Sequence, residues 1–222
     1  MTPFKPILEA AIERAGGAGE LDALLPEPSP PEALRAVPDD RYLSMISLRV
    51  FQAGLKHAMV AAKWPAFEEV FAGFAPAPVA AMHEERIEAL MADKRLIRHL
   101  PKLRSVPANA QAILAIADEA GSFGAWLADW PVDDITGLWA AIAKRFKQMG
   151  GSSTPYVLRR AGKDTFILTN DVNKALIAAG VIDRKPTSKR DLASVQAVFN
   201  AWASESGRPL CHLSRIAALS VG

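Results

Sequence analysis

Apolar residues recur at helical spacing along almost the whole chain, and glycines and prolines cut that pattern into short pieces. In "DDRYLSMISLRVFQAG" an acidic pair opens a stretch whose apolar side chains stand at Leu43, Ile46, Val50 and Phe51, one face of a helix. Phe4 to Arg14 forms a short amphipathic helix ended by Gly16-Gly17, and the proline-rich residues 26–38 read as an extended connector. Gly54 interrupts the next helix, "LKHAMVAAKW" resumes it, and Trp64-Pro65 breaks it. The β-branched run "DTFILTN" is short, lies between helical segments and has no partner strand, so it reads as a buried connector. The pattern predicts an all-α chain of about a dozen short helices with no repeat. Residues 1–38 form an N-terminal helix and connector, and 39–222 form one main domain.

Composition narrows the function classes. Half of the 222 residues are hydrophobic and 23% are charged, which supports a real core and excludes a disordered chain. The net charge of +2 excludes a polycationic tail and still permits a basic stripe on one face. One cysteine, Cys211, and four scattered histidines offer neither a disulfide framework nor zinc-ligand spacing, so no metal and no cofactor are expected. No stretch reaches the roughly 20 apolar residues of a membrane span, and the acidic, amphipathic start is unlike a signal peptide. A cytoplasmic protein with no membrane partner is the expectation.

The stretch Gln148-Met149-Gly150-Gly151-Ser152-Ser153-Thr154 separates two helical segments. Two glycines interrupt the helix "AIAKRFKQM"; Thr154 suits an N-cap and Pro155 a first helical residue. A helix N-terminus after glycines is an anion-binding arrangement, and Lys144, Arg145, Lys147, Arg159 and Arg160 surround it. Taken alone, it reads more often as a plain connector. Nineteen residues after Ser152, Asp171 opens the next helix, where an ordinary role is helix N-cap, shared with Asn170.

This order of features resembles the helix-hairpin-helix DNA glycosylases. Their hairpin reads roughly Leu-Pro-Gly-Val-Gly, grips a DNA phosphate, and precedes a catalytic aspartate at the start of the next helix. The resemblance places Gln148, Met149 and Gly150 at the Gly-Val-Gly positions and makes Asp171 the catalytic carboxylate. Bifunctional members carry a hairpin lysine where Ser152 stands, so the resemblance implies a monofunctional enzyme that uses water.

A second match is to the bacterial 3-methyladenine DNA glycosylase I family. It rests on Gln52-Ala53-Gly54-Leu55; Phe74, Pro76, Val79, Ala80 and Met82; Leu90 to Asp93; and Ile97, Arg98 and Lys102, with Asn109-Ala110 and "SFGAWLADW" continuing it. It runs from about Asp39 to Asp183 and implies a two-lobed helical fold with a DNA-binding cleft between lobes. The hairpin spans about 144–163. Gly54 and Leu55 resemble the family's wedge, which enters the gap left by a flipped nucleotide. Hairpin contacts to DNA would come from Gln148, Gly150, Gly151, Ser152, Ser153 and Thr154. The base pocket would include Arg49, Gln52 and His57. Arg49 stands where the family has a glutamate and His57 where it has a tryptophan. Arg184 follows Asp183 where a zinc-ligating histidine is expected, so the zinc clasp is lost. The implied partner is duplex DNA with a damaged base, met by a monomer. The implied reaction is release of an alkylated purine such as 3-methyladenine, with a deaminated purine or a non-catalytic DNA-binding role as alternatives.

The remaining candidates have ordinary readings beside these. "DKRLIRHLPKLRS" is either a phosphate-facing run or a solvated helix face. His57 is either a base contact or a half-buried structural residue. Trp126, Trp130, Trp139 and Trp202 read as core, and Cys211 and His212 as packing residues.

Overall fold

Why helices form here is visible in their ends. Ser122 accepts the Ala125 N–H at 2.9 Å, Thr169 accepts the Val172 N–H at 3.2 Å, and Ser188 and Asp191 make a reciprocal capping box. The computed structural model describes residues 2–221. Fourteen helices follow in order among them: α1 Lys5–Ala15, α2 Ala18–Asp22, α3 Pro31–Ala36, α4 Asp39–Gln52, α5 His57–Val70, α6 Pro76–Ala80 and α7 Glu84–Ala89. The rest are α8 Leu100–Ala120, α9 Phe123–Asp129, α10 Ile135–Arg145, α11 Ser153–Ala161, α12 Asn170–Ala178, α13 Lys189–Ser206 and α14 Leu210–Leu219. No strand occurs among the described residues, as the helical periodicity predicts.

The chain divides into two compact units, and one of the four boundaries between them falls inside α10. One unit holds the residues up to Ser29, Pro131–Leu138 and those from Gly162 onward. Its core is an aromatic row: Phe166 stacks on Phe199 with ring centroids 4.3 Å apart, Phe199 meets Trp202 edge-on at 5.3 Å, and Trp202 meets Phe4 at 5.3 Å. Phe166 and Ile167 are buried in the extended 163–169 segment, so the β-branched run is a connector packed into this core. Asp164 ends that role with a second one. Its carboxylate accepts the N–H groups of Leu210 and Cys211 at 2.9 and 2.8 Å and caps α14.

The other unit holds Pro30–Trp130 and Trp139–Ala161. Phe51, Phe67, Phe71 and Phe74 are fully buried, and Trp64 lies flat on Phe67 and Phe74 at 5.0 and 5.3 Å. The Trp64 indole donates to the Ser44 hydroxyl, which donates to Glu68, and Arg41 holds the same Glu68. This packing carries α5 straight through Pro65, so the expected break at Trp64-Pro65 does not occur. One backbone bond is lost at the proline, and the aromatic stack on both sides outweighs it.

A second departure is α3, inside the stretch expected to be extended. Pro31 sits in its first turn, where a missing N–H costs nothing, and Leu34 is buried. The Tyr42 hydroxyl donates to the Leu34 carbonyl at 2.7 Å, and a Cβ on Gly124 would strike that same carbonyl, so α9 lies close against α3. Trp126 and Trp130 are only partly buried, unlike Trp139 and Trp202. No helix among the described residues is long and apolar enough to cross a membrane.

Replacing Asp164 with alanine removes the α14 cap. Thermal or denaturant unfolding of Asp164→Ala is expected to show a loss of about 1–2 kcal/mol.

Candidate functional site

The hairpin forms with helix ends different from those expected. Helix α10 stops at Arg145, with Phe146 and Met149 buried beyond it, and α11 begins at Ser153. Thr154 therefore lies inside the helix and is no N-cap: its hydroxyl donates to the Met149 carbonyl at 2.6 Å and pins the turn from within. Gln148 has φ of 62° and Gly151 of 59°, so the turn reverses through two left-handed residues. Gln148 holds the backbone shape that glycine usually supplies. Gly150 has no positive φ and no neighbour that a Cβ would meet. Nothing within the chain requires glycine there, and the space before it is open. Gln148, Gly150, Gly151 and Ser152 are exposed; Ser153 and Thr154 are buried.

One buried side chain fixes this turn. Asn109, fully enclosed on α8, accepts the Lys147 N–H at 2.7 Å and donates to the Lys147 carbonyl at 3.2 Å. The amide thus satisfies both backbone groups of the residue before Gln148.

The turn after α4 is held in the same way. Residues 53–59 are all exposed, including Leu55 at 36% and Met59 at 42%, with Gly54 left-handed at φ of 77°. Lys102 is buried on α8, and its ammonium donates to the carbonyls of Phe51 and Ala53 at 3.3 and 2.6 Å. A cation at these last carbonyls complements the end of α4. Burial holds the Lys102 ammonium below the ordinary lysine range. Lys102 and Asn109 stand seven residues apart, two turns along one face of α8. One helix face therefore anchors both exposed turns.

A third contact links the same elements. The Arg49 guanidinium lies over the Tyr156 ring, 4.6 Å from its centroid. Arg49 is in the last turn of α4, one turn before Gln52, and Tyr156 is in the first turn of α11. Arg49 Nε is buried without a hydrogen-bond partner. His57 is exposed at the start of α5, which rules out the half-buried structural reading.

Asp171 lies in the other unit, in the first turn of α12. Thr169 is the cap, so the N-cap role weighed for Asp171 and Asn170 falls to neither. The Asp171 carboxylate is exposed, with Lys174 Nζ 3.0 Å from Oδ1.

Three of the six basic residues in 93–105 are spent within the protein, and Lys94, Arg98 and His99 are exposed. Arg95 pairs with Asp93 and Glu69, Arg104 with Glu84 and Glu88, and Lys102 is buried as described. The zinc clasp has no fit here. Cys211 is buried with its thiol on the Pro26 carbonyl, and among the described residues no three His, Cys, Asp or Glu side chains are placed to hold a metal.

Lys102 and Asn109 are visible in the sequence only as parts of a pattern, and their roles are not. Their bonds reach backbone groups 38 to 51 residues away in the chain, which no local pattern encodes.

The sequence profile described as methyladenine glycosylase matches residues 34–154. The chain is 36% identical over 83 residues to DNA-3-methyladenine glycosylase 1 of Escherichia coli K12, a match covering 37% of this chain and 44% of that protein. The match thus spans less than half the length of this curated relative. A 3-methyladenine DNA glycosylase I variant from Staphylococcus aureus is 26% identical, with a TM-score of 0.51, over 56% of this chain and 77% of that one. The 8-oxoguanine glycosylase/lyase of Methanocaldococcus jannaschii, solved with DNA, is 13% identical and shares the fold, with a TM-score of 0.57 over 96% of this chain and 95% of that one.

Two measurements check the anchors. Asn109→Ala leaves the Lys147 amide and carbonyl unmet and is expected to lose roughly 2 kcal/mol in denaturant unfolding. Stability is expected to rise with pH in the alkaline range below 10.5, because the unfolded chain takes up the proton that folded Lys102 resists. Lys102→Met should flatten that rise. Gln148→Gly relieves a left-handed side chain and is expected to raise the melting midpoint.

Proposed function

Because the chain belongs to the methyladenine glycosylase family, we propose that it is a DNA glycosylase that hydrolyses the N-glycosidic bond of a damaged base, with an alkylated purine as the substrate class. The observation that carries this reading is the pair of exposed turns held on one face of α8. The 148–152 turn presents an open glycine and the N-terminus of α11, with exposed Lys144, Lys147 and Arg160 near it in sequence, which suits a DNA phosphate. The 53–59 turn offers Leu55 beside left-handed Gly54, an exposed apolar tip suited to the gap left by an extruded nucleotide. Arg49 and Gln52, at the end of α4, and His57, at the start of α5, line the approach to the base.

In the reaction, the bond from the sugar C1′ to the base nitrogen breaks. The base leaves with the electron pair; a cationic alkylated purine departs neutral and takes up no proton, and the water that adds to C1′ releases one. Positive charge grows on the sugar meanwhile. A fixed carboxylate stabilises it, and Asp171 is the residue assigned that role. Ser152 at the hairpin position of the lyase lysine leaves water as the nucleophile, so no covalent adduct forms.

A second reading is a non-catalytic DNA-binding protein. The Asp171 carboxylate is exposed and paired with Lys174, and Arg49 replaces the family glutamate, which favours it.

A base-release assay on duplexes carrying 3-methyladenine, 7-methylguanine, hypoxanthine or uracil separates the two. The glycosylase reading expects release of at least one base, with Asp171→Asn slower by about a hundredfold or more. Release that is unchanged in Asp171→Asn removes that residue from the chemistry. Lesion binding with no release from any duplex supports the second reading. Borohydride trapping is expected to yield no protein–DNA adduct.

A further inference from the structure

We infer that Arg49, held on Tyr156, is the group that reads the extruded base, and that it selects an uncharged purine presenting acceptors over a cationic alkylated one. The inference rests on the reading that the chain binds a damaged base, and it moves the preferred substrate from the alkylated purine proposed above to an uncharged one.

Six other arginines, Arg35, Arg41, Arg95, Arg104, Arg145 and Arg208, each pair with a carboxylate. Arg49 is part-buried, forms no ion pair among the described residues, and keeps its Nε enclosed without a partner. A buried donor in a folded protein is normally satisfied, so the enclosed and unmet Nε sets Arg49 apart. The guanidinium is a cation. The Tyr156 ring, 40% exposed, covers one of its faces and leaves the in-plane N–H fork for a ligand. Both residues flank the two exposed turns. Arg49 leads into 53–59, and Tyr156 follows 148–152.

The fork and the charge decide the ligand. A guanidinium pairs with two adjacent acceptors, and a purine with O6 and N7 both free offers them. Hypoxanthine has that edge and no charge. Adenine-type bases place an amino donor at position 6, and 7-methylguanine has N7 blocked and carries a positive charge that Arg49 repels. Guanine shares the hypoxanthine edge, so Arg49 ranks classes of damaged base. Guanine is excluded by its stable pairing, since extrusion favours bases that pair poorly. The same donor fork would also suit a DNA phosphate, and the test separates the two.

Binding is measured to duplexes holding 2′-fluoro-stabilised hypoxanthine opposite thymine, 2′-fluoro-stabilised 7-methylguanine, or no lesion, at several salt concentrations. Base release is measured on the unfluorinated duplexes, and folding is checked by melting. Wild type is expected to bind and process hypoxanthine at least about tenfold better than 7-methylguanine. Arg49→Gln should lose that preference, with 7-methylguanine binding unchanged or stronger, and Tyr156→Leu should lose part of it. A wild-type preference for 7-methylguanine overturns the inference. So does an equal loss for all three duplexes in Arg49→Gln with the salt slope reduced by about one, which marks a phosphate contact. Arg49-dependent lesion binding without base release would uphold the inference and end the enzymatic reading. No binding to any duplex ends both.

Discussion

Two buried polar side chains on one face of α8 set the shape of every candidate DNA-contacting turn in their unit. Lys102 closes the end of α4 through the carbonyls of Phe51 and Ala53, and Asn109 closes the hairpin through both backbone groups of Lys147. Neither turn has a core of its own. Residues 53–59 are exposed throughout, and between Lys147 and Ser152 only Met149 points inward. Each turn is ordered because a backbone group that would otherwise be unmet is satisfied from below. A helix is stiff over two turns, so the two contacts are also held at a fixed spacing, which a surface for regular DNA needs. The cost of burying the Lys102 ammonium is part of that arrangement.

The Arg49–Tyr156 stack sits on the same framework. It joins the helix before one turn to the helix after the other, so the residue at the family's glutamate position is fixed by both. Under the proposed reading, a charge reversed at that place changes which base is accepted and leaves the contacts to the DNA backbone in place, which would give a family scaffold a different substrate without changing its grip.

Much of this was legible in the sequence. Helical spacing and the lack of partnered β-branched runs gave the all-α class, and the glycine-rich break between helices gave the hairpin. Single side chains with local effects misled. Thr154 suits an N-cap by type, yet its hydroxyl serves the Met149 carbonyl and the helix starts at Ser153, two residues before Pro155. Asp171 likewise yields the cap of α12 to Thr169. Pro65 breaks helices in isolation, but Trp64 stacked on two phenylalanines holds α5 together. α3 was hidden in a proline-rich stretch because its stability comes from Leu34, whose carbonyl is bound by Tyr42 of the next helix. The anchors themselves were invisible as anchors, because a lysine or asparagine bonded to distant backbone leaves no trace in local spacing.

Hydrogen exchange of the full chain, free and with a duplex carrying a single lesion, tests most directly that the two turns on α8 are the DNA-contacting surface. The expectation is that amides in 53–59 and 147–153 both gain protection on binding, with little change at residues 93–95, where Arg95 pairs with Asp93 and Glu69. Protection confined to other segments, with both turns exchanging as in the free protein, would contradict it.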